Sequence, residues 1–435
     1  MLPSTRRKFL KDAALGLTAA TMITPGRSRA GAAAERVRVA VIGCGNQGKA
    51  HFRSLTSLKD AEIVYVSDID EERRALGVEM SGGAKPVDDF RRILDDQSID
   101  GVTIATPDHW HAPIAIMALE AGKHVYVEKP CSHNVREAQL LREAAHRTSK
   151  VVAHGTQARS NPAMKQAMAL LSDGVIGDVL QSKSWNWQLR KDIGHMKPST
   201  PPPGVNYDTW VGPAEWMPFQ ANRFHYDWHW WHNFGCGDLG NDGIHEFDYA
   251  LWGLGVDTHP TVVSAAGGKY FFDDDQQFPD TQQVAFEFGD SVGNRKMFVF
   301  EMRLWSTTYP YNVDSGAEYF GTKGRMFISK RGKFEVRGER NEPMEVKLAG
   351  PPKTEVSENQ QNWLDCIKSG GVPNANIDIA VRTAIACHLA NIATQLRRTL
   401  RFDPTSEKII GDDEANQLLA RKYREGGHWG IPAGV

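Results

Sequence analysis

Val37, Val39, Val41 and Ile42 stand in a short, β-branched, mostly apolar run that leads straight into Gly43-Cys44-Gly45-Asn46-Gln47-Gly48. Such a run reads as a buried parallel strand, and the hexapeptide after it is a G-x-G-x-x-G. Residues 49–58 read as a helix, and a second strand over 61–67 ends on Asp68, 20 residues past the third glycine (68 − 48). Strand, glycine turn, helix and acid in that order confine the start of the chain to a dinucleotide-binding βαβ unit. The glycines let the backbone approach a pyrophosphate, and the helix N-terminus offers it unpaired N–H groups. Gly43, Gly45, Asn46, Gln47 and Gly48 are the expected phosphate cradle. Asp68 is expected to accept hydrogen bonds from both adenine-ribose hydroxyls and to repel a 2′-phosphate, favouring NAD over NADP. A glycine turn with no ligand is the weaker reading, because strand, helix and acid are all in place.

The alternation continues through a helical piece at 87–95, a strand at 101–106 stopped by Pro107, a helix at 114–121, a strand at 124–127, a helix at 135–148 and a strand at 151–154. This predicts a doubly wound parallel sheet, whose ligands sit beyond the carboxyl ends of the strands. Segments 106–109, 128–130 and 155–157 fall at those ends. Thr106, Pro107, His109, His111, Glu128, Lys129 and Gln157 are therefore expected to contact the nicotinamide half of the cofactor.

The chain has 435 residues, enough for two large domains. Lys+Arg 51 against Asp+Glu 53 leaves a formal charge of −2, which excludes a protein that gathers nucleic acid or anionic membrane by bulk charge. Cys44, Cys131, Cys236, Cys366 and Cys387 are scattered, with no CxxC pair, so neither a disulfide scaffold nor a thiolate zinc site is expected. Arg6 and Arg7 precede Phe9-Leu10-Lys11, an apolar run over 13–23, and small residues around Ser28-Arg29-Ala30. That succession reads as an export signal over residues 1–34, of the twin-arginine kind used for proteins that fold before translocation. Prior folding suits a protein that must load a nicotinamide cofactor in the cytoplasm. The twin-arginine export machinery, a periplasmic or cell-envelope location and no membrane integration after cleavage follow as expectations. The remaining boundaries are 35–157 for the dinucleotide domain and 158–435 for a substrate domain.

In that second part, 163–171 reads as a helix and 179–187 as a strand, followed by a proline-rich loop over 198–204. Strand-like segments follow at 262–265, 283–288, 297–305, 318–320, 325–329 and 333–337, with helices at 358–369 and 377–396. The fold class expected is α/β: an N-terminal Rossmann sheet, then an α/β domain with a large open, antiparallel-rich sheet. The last helix, long and alanine-rich, is expected to pack back on the first domain. Residues 224–234 interleave aromatic rings with His225, Asp227, His229, His232 and Asn233. Aromatic faces stack on sugar C–H faces while polar groups bind hydroxyls, so His225, Trp228 and His229 are expected substrate contacts; core packing is the competing reading for each Trp. His225 and His229 are four apart, as metal ligands on one helix face would be, but with no thiolate and no HExxH pattern no metal is expected.

The glycine motif, Thr106-Pro107-Asp108-His109-Trp110-His111, Glu128-Lys129-Pro130 and Gly243-Ile244-His245-Glu246-Phe247-Asp248, in that order, resemble the Gfo/Idh/MocA oxidoreductases across nearly all of the chain beyond residue 34. The resemblance implies NAD chemistry at a carbinol of a sugar, cyclitol or glycoside, and a homo-oligomer associating through the open sheet. It assigns the family's lysine to Lys129 and its histidine to His245, which would bracket the reacting hydroxyl. Many members carry Asp four residues before that histidine; here the position is Asn241, with Asp242 beside it. Asn241 and Asp242 are then expected to hold the sugar or orient His245, the imidazole titrating in its ordinary range, and Asp248 to be structural. A glycosidase working by transient oxidation at bound NAD, and a sugar-binding protein without catalysis, are the alternatives.

Overall fold

The computed structural model describes residues 36–289, 295–425 and 434; the signal reading of residues 1–34 lies outside them. The first half of the described chain alternates strand and helix: β1 (Val37–Ile42), α1 (Asn46–Ser57), β2 (Ala61–Ser67), α2 (Glu71–Met80), β3 (Lys85–Val87), α3 (Arg91–Asp95), β4 (Gly101–Ile104), α4 (Asp108–Glu120), β5 (His124–Val127), α5 (Val135–Thr148) and β6 (Val152–His154). The strands form one sheet in the order β3-β2-β1-β4-β5-β6, every pairing parallel. The order reverses between β1 and β4, so α1 and α4 start on either side of a crevice at the strand ends, where doubly wound sheets hold their ligands. The expected helix at 87–95 is corrected. Lys85–Val87 pairs with Tyr65–Ser67 as an edge strand, and the helix starts later, where the Asp89 carboxylate accepts the Arg91 amide at 3.0 Å. Pro86 is tolerated there because an edge strand has one unpaired side.

The second half continues with α6 (Pro162–Ser172), β7 (Val179–Trp187), α7 (Tyr207–Val211), α8 (Ile244–Leu254), β8 (Val262–Gly268), β9 (Thr281–Gly289), β10 (Arg295–Arg303), β11 (Ser315–Gly321), β12 (Gly324–Ser329), β13 (Lys333–Gly338), α9 (Val356–Ser369), α10 (Ile377–Leu396), β14 (Leu400–Asp403) and β15 (Lys408–Ile409). Among the described residues its strands run β13-β12-β11-β7-β10-β9-β8-β14-β15, antiparallel except for β7 beside β10. Helix α8 is seated on this sheet by Phe247, whose ring meets those of Phe286, Phe298 and Phe300 edge-on, at 5.4, 4.9 and 4.6 Å between centroids. This fixes the helix that carries His245.

Two late helices return to the first sheet. Helix α10 packs on α5 and β6 as well as on β8 and α8. Helix α9, which the sequence did not mark for this, covers one face of the first sheet against α1, β1 and β5. Trp363 is fully buried there, joining the core of Val37, Val39, Val41 and Phe52. The first sheet thus completes its core with a helix from the far end of the chain.

Candidate active site

Gly43 takes φ +93°, and a Cβ on it would stand 2.5 Å from the Ala105 carbonyl oxygen; a Cβ on Gly48 would stand 2.1 Å from the Gly43 carbonyl oxygen. The turn after β1 therefore closes only with glycine at both positions, which brings the start of α1 hard against the strand ends. Helix α1 has no side-chain cap on its first turn and no acidic residue in it. Its leading amides and positive dipole end are left for an anion, and Gly43, Gly45, Asn46 and Gln47 line the cleft. Gly48 does not line it; it is the packing glycine that lets helix meet turn.

Asp68, just past β2, also lines the cleft. Its carboxylate accepts the Cys44 amide at 2.7 Å on one oxygen and the Asp70 amide at 3.0 Å on the other. One lone pair remains on each for a pair of ribose hydroxyls. Burial pushes this carboxyl up, against the pull of those two amides. Arg73, absent from the sequence reading, lies across the glycine loop: a Cβ on Gly45 would be 3.0 Å from its Nη1. A glycine cradle, uncapped helix amides, a cation over the loop and an acid at the next strand end fit a dinucleotide. Gly43, Gly45, Asn46, Gln47, Arg73 and Asp68 would hold it.

At the far end of the crevice, Lys129 follows β5 and reaches into the second half. Its Nζ donates to the Asn241 backbone oxygen at 2.5 Å and lies 3.4 Å from the Asn241 Oδ1. Asn241 belongs to a π-helical turn, Leu239–Gly243, that leads into α8. Behind Lys129, the Glu128 carboxylate is buried on His51, 2.9 Å away, and accepts the Gln47 side-chain amide at 2.8 Å. Burial alone would raise Glu128, but His51, Lys129 and Gln47 outweigh it and bring the group down to about 2. Asp108 stands across from Lys129 with one carboxylate oxygen buried and unpartnered. Desolvation pushes it up to about 7, with Lys129 opposing.

The opposite wall comes from segment 204–234 and includes Trp210, His225, Tyr226, Trp228 and His229. The Trp228 and His229 rings stack at 3.6 Å. Burial, then the charge of Lys129, takes His229 down to about 3, so it is a neutral ring. His225 takes φ +59° and lies 3.1 Å from the Asp70 carboxylate. Burial and Arg73 nevertheless bring it to about 4, so a neutral imidazole, not a charged partner, stands beside that carboxylate.

The structure brings together most of the residues the sequence singled out, and leaves some aside. Gly43, Gly45, Asn46, Gln47, Asp68, Thr106, Pro107, His111, Glu128, Lys129, His225, Trp228, His229 and Asn241 share the cleft. His111 is buried, with its ring nitrogens facing the Pro130 and Thr106 carbonyls at 2.6 and 2.8 Å, which makes it a strut of the wall. His109 is corrected: it is fully buried off the cleft, 2.8 Å from the Trp210 carbonyl and 3.3 Å from that of Phe234. Gln157 is likewise buried away from it, near the Tyr126 hydroxyl. Asp242 and His245 lie beyond the lining. The Asp242 carboxylate is on Arg190 at 2.5 Å, and His245 is close enough to Lys129, Lys330 and Asp242 to feel their charges. The expectation that His245 titrates in its ordinary range is also corrected. Burial, then Lys330 and Lys129, push it well below. Asp248 is structural, gripped by Arg159 at 2.9 Å in the interior. Tyr226 and Asp108 were within reach of sequence reasoning, each lying inside a segment already marked; Arg73 carried no signal.

A family model for the NAD-binding Rossmann fold of an oxidoreductase family matches residues 37–156, and one for the C-terminal alpha/beta domain of that family matches residues 166–275 and 311–430. The chain is 28% identical to scyllo-inositol 2-dehydrogenase (NAD(+)) of Bacillus subtilis (strain 168), over 67% of this chain and 74% of that one. It is 30% identical to glycosyl hydrolase family 109 protein 1 of Shewanella sp. (strain ANA-3), over 37% of this chain and 38% of that one, so it spans well under half of that relative. Levoglucosan dehydrogenase in complex with NADH has the same fold, with a TM-score of 0.66 at 19% identity, over 84% of this chain and 99% of that structure. The glycine cradle, the cleft at the strand switch and the two matched regions together make this chain a member of the Gfo/Idh/MocA family of NAD-binding oxidoreductases.

Proposed function

We propose that the enzyme moves a hydride between a carbinol of a sugar, glycoside or cyclitol and NAD, with Lys129 exchanging the hydroxyl proton. The observation that carries this is the contact of Lys129 with Asn241 inside the cleft that the glycine loop opens into. It sets an amine from the dinucleotide half against the wall contributed by the other half. Oxidation removes a hydride from carbon and a proton from oxygen, leaving a carbonyl. NAD, when bound, supplies the two-electron acceptor. The chain's part is to hold the carbinol against Trp228, His229 and Tyr226, and to take the proton at Lys129 Nζ. His245, kept neutral, and Asp242 support the amine from beyond the wall. A cyclitol or sugar is supported by the aromatic–imidazole lining and by the named activity of the Bacillus relative.

Lys129→Ala is expected to retain NAD while turnover falls roughly 10²–10⁴-fold. This is measured by nicotinamide absorbance and product mass over a panel of cyclitols, sugars and glycosides. Near-normal turnover in that variant removes Lys129 from proton transfer. A second reading, hydrolysis of a glycoside through transient oxidation, is favoured by the family 109 relative; release of free aglycone without net NADH would single it out. The pair Arg6-Arg7 and the run after it support twin-arginine export to the periplasm or cell envelope, and the open second sheet supports a homo-oligomer.

A further inference from the structure

We infer that Asp238 positions Lys129, acting through the side chain of Asn241, with Arg190 as its brace. The inference rests on the proton-transfer role proposed for Lys129, and extends it to two residues outside the cleft lining.

Asp238 has no exposed surface. Its carboxylate accepts three N–H groups, two from the end of β7 and the loop after it and one from its own turn: Asn186 Nδ2 at 2.8 Å, Arg190 Nη2 at 2.8 Å and Asn241 Nδ2 at 3.0 Å. A buried carboxylate is tolerated on such terms, with a cation and two amides in place of water. Asn241 then turns its side-chain Oδ1 toward Lys129 Nζ at 3.4 Å, beside its backbone oxygen, which accepts from the same Nζ at 2.5 Å. An amide that donates to a carboxylate has its own oxygen made more negative, because hydrogen bonds in a chain polarise one another. Burial raises the Asp238 carboxyl and Asp242 adds to this, while Arg190 and the Asn241 amide oppose them; the ionised carboxylate acts on Lys129 Nζ through one side chain. When Lys129 takes a proton from a hydroxyl it becomes an ammonium, and this relay stabilises that product.

Arg190 does not cancel the relay. Its Nη2 is shared between Asp238 and Asp242, and its Nη1 donates to the Tyr226 hydroxyl at 2.9 Å. One cation therefore serves two carboxylates and fixes a ring of the cleft wall as well. Burial would raise Asp242, yet Lys330, Arg190 and Lys129 hold it charged. The other groups that act on Lys129 are the carboxyls of Asp108, Glu128 and Asp242. The imidazoles of His111, His154, His229 and His245 also feel its charge. Asp238 differs from all of these in being wired to Nζ by hydrogen bonds through Asn241.

The test reads Lys129 without turnover, in the purified full chain with NAD present. Acetylation of each lysine by isotope-coded acetic anhydride is followed by mass spectrometry across a pH series. In Asp238→Asn the pH of half-maximal Lys129 acetylation is expected to fall by about one unit, a tenfold gain in free amine at a fixed pH below it; the other lysines serve as internal controls. The exchange D238N/N241D keeps one carboxylate and sets it directly on Nζ, so it is expected to return the profile to the wild-type position or above. An unchanged profile in folded D238N overturns the inference. If D238N does not fold, the exchanged pair decides alone, and a profile below wild type overturns it. Turnover by Lys129→Ala together with a shifted D238N profile would remove the catalytic reading and leave the coupling standing; the reverse pair of results would do the opposite.

Discussion

Glu128 carries a full charge in the interior because each of its oxygens has a partner: His51 and the Gln47 amide on one, the Lys129 backbone amide at 3.2 Å on the other. Its carboxyl is held at about 2, below the ordinary 4.5. A depressed carboxylate stabilises the fold fully above the unfolded value and loses that contribution as pH falls through the folded one. Glu128→Gln should therefore be less stable than wild type at pH 7 by on the order of 3 kcal/mol. That gap should close between pH 4.5 and about 2, as urea titrations at a series of pH values would read it. A gap that stays constant through that window would mean Glu128 acts by shape and not by charge. What was legible at single positions followed from how local the signal was. Lys129 and Asp68 announce themselves by their place after a strand. Arg73 lies over Gly45, 28 positions away in the chain, and Asp238 is braced by Asn186 and Arg190, 52 and 48 positions away, so no short motif contains either set even though Asn241 is only three residues from Asp238.

Segments whose pattern is set by their own neighbours were readable along the chain. The strand Val179–Trp187 and the helix Ile377–Leu396 have the bounds that β-branched, aromatic or alanine-rich runs suggest. The edge strand Lys85–Val87 and the π turn Leu239–Gly243 were not readable, since one is defined by pairing with β2 and the other by a widened turn at the base of α8. Helix α9 was found as a helix but its destination was not, because burial of its apolar face against the first sheet is a tertiary fact. Trp363 marks that destination: a Cβ on Gly101 would be 2.9 Å from its ring, and it meets Tyr126 edge-on at 5.9 Å. Trp363→Ala should cost roughly 3–5 kcal/mol by opening a cavity under β1 and β5. Denaturant midpoints would measure this, while turnover per folded molecule stays at the wild-type value. A loss below 1 kcal/mol would show that the first sheet does not depend on its borrowed helix.

Segment 204–234 walls the cleft from the other half, and its bonds to the first half fall beside Asp68. The Asn206 amide donates to the Ile69 carbonyl at 3.0 Å and the Glu71 amide to that of Gly204 at 3.1 Å, just past Asp68. His225 stands 3.1 Å from Asp70 in the same place, and the indole of Trp110, which also lines the cleft, donates to the Thr209 carbonyl at 3.1 Å. Moving the segment away from Asp68 requires these contacts to break together, and release of the adenosine end is expected to be slowed by that. An enzyme built this way is expected to keep its NAD through many turnovers and recycle it in place. Protein purified without added cofactor should accordingly show nicotinamide or adenine absorbance after gel filtration. His225→Ala, which removes the imidazole standing 3.1 Å from Asp70, should exchange NAD faster than wild type, followed by displacement of the bound cofactor with labelled NAD. An apo protein that becomes active only on adding NAD, with H225A indistinguishable from it, would show that the segment opens freely and that NAD behaves as a second substrate.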